Sequence, residues 1–210
     1  FDHCFGDWSQ YTLVDLFQEM YRLQPDLLVN DRAARGLKDI PAAAAQLVTG
    51  DYDTPEQRIG TFQRGRAWES CVTMTYCPDG GGWSYRPDGR IRTLQECIRM
   101  LVGTVTGDGN LLLNIGPMPT GEFQAQEIAN LKGMGKWLGQ FGESIYGTRG
   151  GPYRNGEWGG SCYRAKSLYL HVFEWAGDTL RLPPLKARVL RANVLGGSPV
   201  EVEQNDVGLT

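Results

Sequence analysis

A chain of 210 residues, 41% apolar and 21% charged, can bury a substantial core, as one large domain or as one domain with a small module. Its net charge of -3, with Lys and Arg scattered among acids, argues against a nucleic-acid partner. No apolar run approaches the ~20 residues that span a bilayer and no leader is visible, so no membrane partner is expected; five widely spaced cysteines without a CxxC pair argue against a disulfide framework and a structural zinc site.

The chain opens on Phe1-Asp2-His3 as though in mid-strand, which suggests a piece of a longer protein. Phe1 and Asp2 read as a strand end delivering Asp2 to a loop. From Tyr11 to Leu23, apolar residues at Leu13, Val14, Phe17, Met20 and Tyr21 have the spacing of one helical face. Asp26 to Asp31 is then a short apolar run turning polar at Asn30 to Arg32, as a buried parallel strand does on reaching the catalytic face of an α/β barrel. Pro41 to Gln46 suggests a helical turn inside a loop. Gly50 to Glu69 gathers Asp51, Asp53, Glu56, aromatics and turn formers in a stiff polar loop.

Ser70 to Tyr76 is β-branched and apolar, a strand, and Pro78 to Gly82 a glycine-rich loop lacking the GK[ST] of a phosphate cradle. Thr93 and Glu96 have capping-box spacing before a helix to Val105, whose buried stripe is Leu94, Cys97, Ile98, Leu101, Val102 and Val105. Leu111 to Ile115 reads as a strand buried on both faces. Phe123 to Phe141 reads as a helix with Ile128, Leu131, Met134, Leu138 and Phe141 inward. Helices alternating with such strands indicate a parallel α/β architecture. Beyond residue 148, segments at Ser167 to Trp175, Thr179 to Leu182, Ala187 to Val194 and Val200 to Glu203 are short and alternating, so 149–210 is expected to be a small all-β module.

A retaining glycosidase needs two carboxylates ~5 to 5.5 Å apart, one attacking the anomeric carbon and one protonating the leaving oxygen. Asp2, at a strand end, is placed to be the nucleophile, and Glu56, on a mobile loop, to be the acid and then the base. A capped strand-end Asp2 and a solvated or helix-start Glu56 remain the plain alternatives.

The residues resemble the α-L-fucosidases of glycoside hydrolase family 29. The marks are FDH around Asp2, PDLLVNDR from Pro25 to Arg32, GDYDTPEQ from Gly50 to Gln57, AWE from Ala67 to Glu69, GGWSY from Gly81 to Tyr85, GDGNLLLNIGP from Gly107 to Pro117, and GKWLGQFGESIYGT from Gly135 to Thr148. They stand in the family's order, with His3 where the family usually has Gly. The resemblance implies the second half of a (β/α)8-type barrel at 1–148, followed by a β-sandwich-like domain at 149–210. It implies hydrolysis of terminal α-L-fucosyl groups with retention, Asp2 as nucleophile and Glu56 as acid/base, and no cofactor.

Further, the resemblance puts Arg32 in the sugar pocket, donating to sugar hydroxyls or to Asp2, with an ion pair to Asp31 or another strand-end acid as its alternative. Trp83 would pack on the apolar side of fucose, Trp8 would close one wall, and Glu69 would be the competitor for the acid role. The remaining, N-terminal half of the barrel is expected in the same or another chain. A fucosylated glycan would be the partner, in an exported or lysosomal setting. Two other classes stay open: a carbohydrate-binding protein without turnover, and a retaining barrel glycosidase or transglycosylase for another sugar.

Overall fold

Leu13 and Phe17 lie on one face of a helix, and burial of that face against Val29, Ala33, Ala34 and Val48 fixes helix α1 (Gln10–Leu23). The computed structural model describes residues 10–34, 42–175 and 177–210; the expected first strand with Asp2, and Trp8, lie outside the described residues. The alanines after Pro41 form a full helix, α2 (Ala42–Val48), where the sequence suggests only a turn.

The stretch after Gly50 is not loop throughout. Strand β1 (Tyr52–Asp53) pairs in parallel with β2 (Ala67–Thr73), and Asn30 bridges Tyr52 in parallel from the other side. At Met74 the chain bends into β3 (Thr75–Tyr76), which meets β4 (Arg90–Ile91) antiparallel around the loop holding Trp83. Helix α3 (Leu94–Thr106) returns the chain to β5 (Asn110–Asn114), parallel to β2, so the sheet order is β1-β2-β5.

Two strands expected to be buried on both faces are not. Leu28 is 74% exposed beside buried Val29, and Leu112 is 44% exposed while Leu113 packs against the cluster of Met74, Cys97 and Met134. Adjacent strand residues face opposite sides. Here one side carries the helices, and the other is open at Leu28 and Leu112 although Thr54, Cys71 and Thr73 on it are buried.

The Thr93–Glu96 capping box forms, each side chain accepting from the other's backbone N–H. Helix α4 (Ala125–Phe141) buries Met134 as expected, but Glu127 and Asn130 point inward beside it, while Ile128 and Leu131 are exposed. The cause is polar. Glu127 Oε1 accepts from Thr75 Oγ1 at 3.3 Å and from Gly116 N at 3.5 Å, and Asn130 Nδ2 donates to Arg92 O at 2.6 Å. Buried backbone groups of neighbouring loops need such partners, and meeting them turns the helix.

Strands β6 (Arg149–Gly150), β7 (Gly159–Arg164) and β8 (Ser167–Val172) make an antiparallel sheet in that order. Asp108 fastens it to the α/β part, accepting from Arg149 Nη2 and Gly150 N, each at 2.6 Å. Strand β7 is hidden in the sequence by Gly159 and Gly160, which read as breakers. In the fold a Cβ at Gly160 would strike Thr106, so glycine lets the sheet lie on α3. The segments expected after Trp175 appear only as isolated bridges, Leu182 to Leu209, Asn193 to Pro199 and Gln204 to Leu209.

Candidate active site

The parallel register pairs Tyr52 with Ala67 and, past Pro55, Glu56 with Cys71. Alternation then places Tyr52, Thr54 and Glu56 on the same face as Glu69, Cys71 and Thr73 of β2, and as Asn110, Leu112 and Asn114 of β5. Trp68, Leu111 and Leu113 take the opposite face.

Glu56 is therefore not on a mobile loop. Its neighbours are tied to β2 on both sides, Cys71 N–H donating to Pro55 O and Gln57 N–H donating to Cys71 O, each at 2.9 Å. The acidic segment prolongs β1 by one further rung. Its carboxylate Oε1 lies 2.6 Å from Arg32 Nη2, with Arg32 only 7% exposed and Glu56 27%.

Arg32 is held along its length. Its Nε donates to Thr54 Oγ1 at 3.0 Å, and its backbone N–H donates to Asn30 Oδ1 at 3.3 Å. Thr54 in turn gives its hydroxyl and its N–H to Asp31 Oδ1, at 2.6 and 3.1 Å. Three consecutive residues, Asn30 to Arg32, thus knit the end of one strand to the next. The Arg32 guanidinium meets a strand-end carboxylate, that of Glu56; Asp2, its other expected partner, lies outside the described residues.

Glu69 stands half-buried on the same face, close enough to Tyr52 that its charge, after burial, helps push the Tyr52 phenol above its ordinary value. Burial likewise raises the Cys71 thiol, with Arg32 pulling against it. Behind this face Asp51 accepts from Tyr21 Oη at 2.9 Å and from Val29 N at 2.8 Å, locking α1 to the strand ends. Burial and the Asp51 carboxylate push the Tyr21 phenol up to about 12.

Trp83 lies in the β3–β4 loop, and its carbonyl accepts from Asn114 Nδ2 at 2.9 Å. Gly116 approaches the backbone of Ser84 and Tyr85 so closely that a Cβ would not fit. The loop is thereby seated on the C-terminal end of β5. Among the expected site residues, Arg32, Glu56 and Glu69 gather at the sheet's open face and Trp83 stands at its end, while Asp2 and Trp8 lie outside the described residues. Thr54, Gln57 and Cys71 were not singled out from sequence, although the two-residue spacing of Tyr52, Thr54 and Glu56 carries the signal.

Among the described residues no three His, Cys, Asp or Glu side chains form a metal-ligand set. No helix there is long and apolar enough to cross a membrane. The geometry offers a carboxylate held by a buried arginine, a second carboxylate on the same face, and an aromatic ring at the rim. Such a set can handle protons and hydroxyl-rich ligands.

The model of the alpha-L-fucosidase family matches residues 5–143. An alpha-L-fucosidase of Branchiostoma floridae is 32% identical over 202 residues, covering 85% of this chain and 41% of that protein. Plasma alpha-L-fucosidase of Homo sapiens is 34% identical over 116 residues, 51% of this chain and 24% of its own length. Alpha-L-fucosidase isoenzyme 1 from Paenibacillus thiaminolyticus superposes with a TM-score of 0.79 at 26% identity, over 100% of this chain and 52% of that one. A Bacteroides thetaiotaomicron enzyme, trapped as a covalent intermediate with 2-fluoro-fucosyl fluoride, gives 0.77 at 24% identity over 96% and 48%. The chain spans about half the length, or less, of these relatives.

Proposed function

The chain belongs to the alpha-L-fucosidase family, and from that premise we propose that the protein it represents removes terminal α-L-fucose from glycans with retention of configuration. The carrying observation is the Arg32–Glu56 pair at 2.6 Å on the open face of parallel strands. A carboxyl group so anchored has a fixed direction and remains reachable from outside.

In the proposed reaction Asp2 attacks the anomeric carbon while Glu56 gives its proton to the departing glycosidic oxygen. Glu56 then takes a proton from water, the water oxygen attacks the same carbon, and Asp2 leaves as carboxylate. Two inversions amount to retention. Arg32 aims Glu56, and Trp83, held by Asn114, offers a ring face to the apolar side of the sugar. Trp8 completes the pocket wall in this reading.

The parallel order β1-β2-β5 and the likeness to about half of a solved fucosidase support reading 1–148 as the second half of a (β/α)8-type barrel and 149–210 as a β-sandwich-like domain. The other half of the barrel would then complete the open face.

Glu69 shares that face and is the competing acid. Hydrolysis of nitrophenyl α-L-fucoside by the full natural chain, beside Glu56→Ala and Glu69→Ala, separates the two. Glu56→Ala is expected to lose about 10²- to 10⁴-fold on this activated substrate, because the covalent intermediate lacks the base that activates water, and to regain turnover with azide, which attacks that intermediate without a base. Recovery in Glu69→Ala instead would move the acid role to Glu69. A wild type that binds fucose without hydrolysing any fucoside would make the protein a binding module.

A further inference from the structure

We infer that Gln57 is a positioning residue for Glu56, a strained clasp that aims the proposed acid/base; the inference rests on the fucosidase reading and adds a residue to it. Among the described residues only Gln57, Asp108 and Ala165 have positive φ without being glycine, at 53°, 69° and 51°. Asp108 lies between Gly107 and Gly109 in the turn before β5, and Ala165 in the tight turn joining β7 to β8, where left-handed backbone is what a turn requires. Gln57 has no hairpin to close. Its left-handed residue sits directly after the Glu56–Cys71 rung, and strain of this kind persists where surrounding structure enforces it.

Both ends of Gln57 grip β2. Its backbone N–H donates to Cys71 O at 2.9 Å. Its side-chain Oε1 accepts from Thr73 N at 3.3 Å and lies 3.2 Å from Thr73 Oγ1. A backbone N–H can only donate, so the atom facing it is the amide oxygen, and the amide nitrogen is the one turned away. That nitrogen, Nε2, is buried without a hydrogen-bond partner.

Neither feature favours folding. Glycine would relieve the backbone, and an apolar side chain would remove the orphaned donor. Both costs fall on the residue whose φ decides how the chain leaves Glu56. With Gln57 spanning Cys71 and Thr73, the peptide after Glu56 cannot swing, and the carboxylate stays against Arg32. Displacing a catalytic group by ~1 Å can cost about 100-fold in rate.

The test uses Gln57→Gly, Gln57→Ala and Glu56→Ala in the full natural chain, with aryl α-L-fucosides of graded leaving-group ability. Gly and Ala both delete the amide and leave the buried Thr73 N–H without its acceptor, but only Ala keeps the strain, so Gln57→Ala should melt below Gln57→Gly. For both, kcat/KM is expected to fall about 10- to 100-fold on an unactivated phenyl fucoside and less than about threefold on a dinitrophenyl fucoside, because only the poor leaving group needs the aimed proton. An equal loss on both substrates, or no loss in Gln57→Gly, overturns the inference while Glu56→Ala still shows the leaving-group dependence. If Glu56→Ala lacks that dependence, the acid assignment itself falls, and the role of Gln57 with it.

Discussion

Arg32 is asked to do two things with one planar group: hold Thr54 Oγ1 through Nε at 3.0 Å and meet Glu56 through Nη2 at 2.6 Å. Lysine has the charge but not the fork. Arg32→Lys is therefore expected to keep one contact and lose the other, removing a charge-assisted hydrogen bond worth roughly 1.5 to 3 kcal/mol. The expected reading is a drop of about 10- to 100-fold in kcat/KM on an unactivated phenyl α-L-fucoside, whose poor leaving group needs the aimed proton, with the expression level retained. A variant as active as wild type would mean that the ion pair does not aim Glu56. Much at this scale is legible in the chain, because Asn30 to Arg32 and Thr54 to Glu56 are polar residues set at the ends of short apolar or alternating runs. What the sequence hides is the partner: nothing in the letters pairs Arg32 with Glu56, since their contact depends on the Asn30–Tyr52 bridge that lays the two segments side by side. The left-handed Gln57 is hidden too, for glutamine carries none of the turn signal that glycine or asparagine would.

Elements whose boundaries rest on local chemistry could be read directly, as with the Thr93–Glu96 capping box at the head of α3. Those that depend on what lies opposite could not. The apolar spacing of α4 pointed to Ile128 and Leu131, but Glu127 and Asn130 go inside to satisfy Thr75, Gly116 and Arg92. The glycines before β5 tell a similar story. They turn the chain, and they also make room, because a Cβ at Gly109, like one at Gly60 before β2, would collide with the indole of Trp68, which is fully buried on the sheet's outer face, and one at Gly107 would press on it. Gly109→Ala should thus force overpacking and cost about 1 to 3 kcal/mol. Gly135→Ala, at a position in α4 with nothing within 4 Å of the new methyl, should instead stabilise by about 0.5 to 1 kcal/mol. Chemical denaturation of the two variants checks the contrast. Equal effects of the same sign would show that Trp68 does not set the glycine requirement.

Across the whole molecule, the α/β part and the β6-β7-β8 sheet are fastened at separate places by groups of different acidity. Asp108 is one clasp: burial pushes its carboxyl up, yet Arg149 and the Gly150 N–H outweigh that and hold it below the ordinary carboxylate value. Its contribution is present above the unfolded pKa and is lost only in strong acid. The second clasp joins β7 and β8 to the turn after α4 (Gly142–Ser144), where Cys162 Sγ donates to Ser144 O at 2.9 Å and His171 Nε2 lies 3.4 Å from the same oxygen. Burial pushes the Cys162 thiol up to about 11, leaving it neutral, and burial lowers the His171 imidazole below 6.5 despite the Ser144 carbonyl. A histidine with a depressed folded pKa binds its proton more readily in the unfolded chain, so its contribution is complete above pH 6.5 and declines as pH falls toward the folded value. The slope from this one group is at most about 1.4 kcal/mol per pH unit. Denaturation midpoints of the full natural chain should accordingly fall as the pH drops below 6.5, and His171→Gln should flatten that slope while Asp108→Asn leaves it unchanged. A slope that survives in His171→Gln would place the acid-sensitive joint elsewhere and leave the Ser144 contact as packing alone.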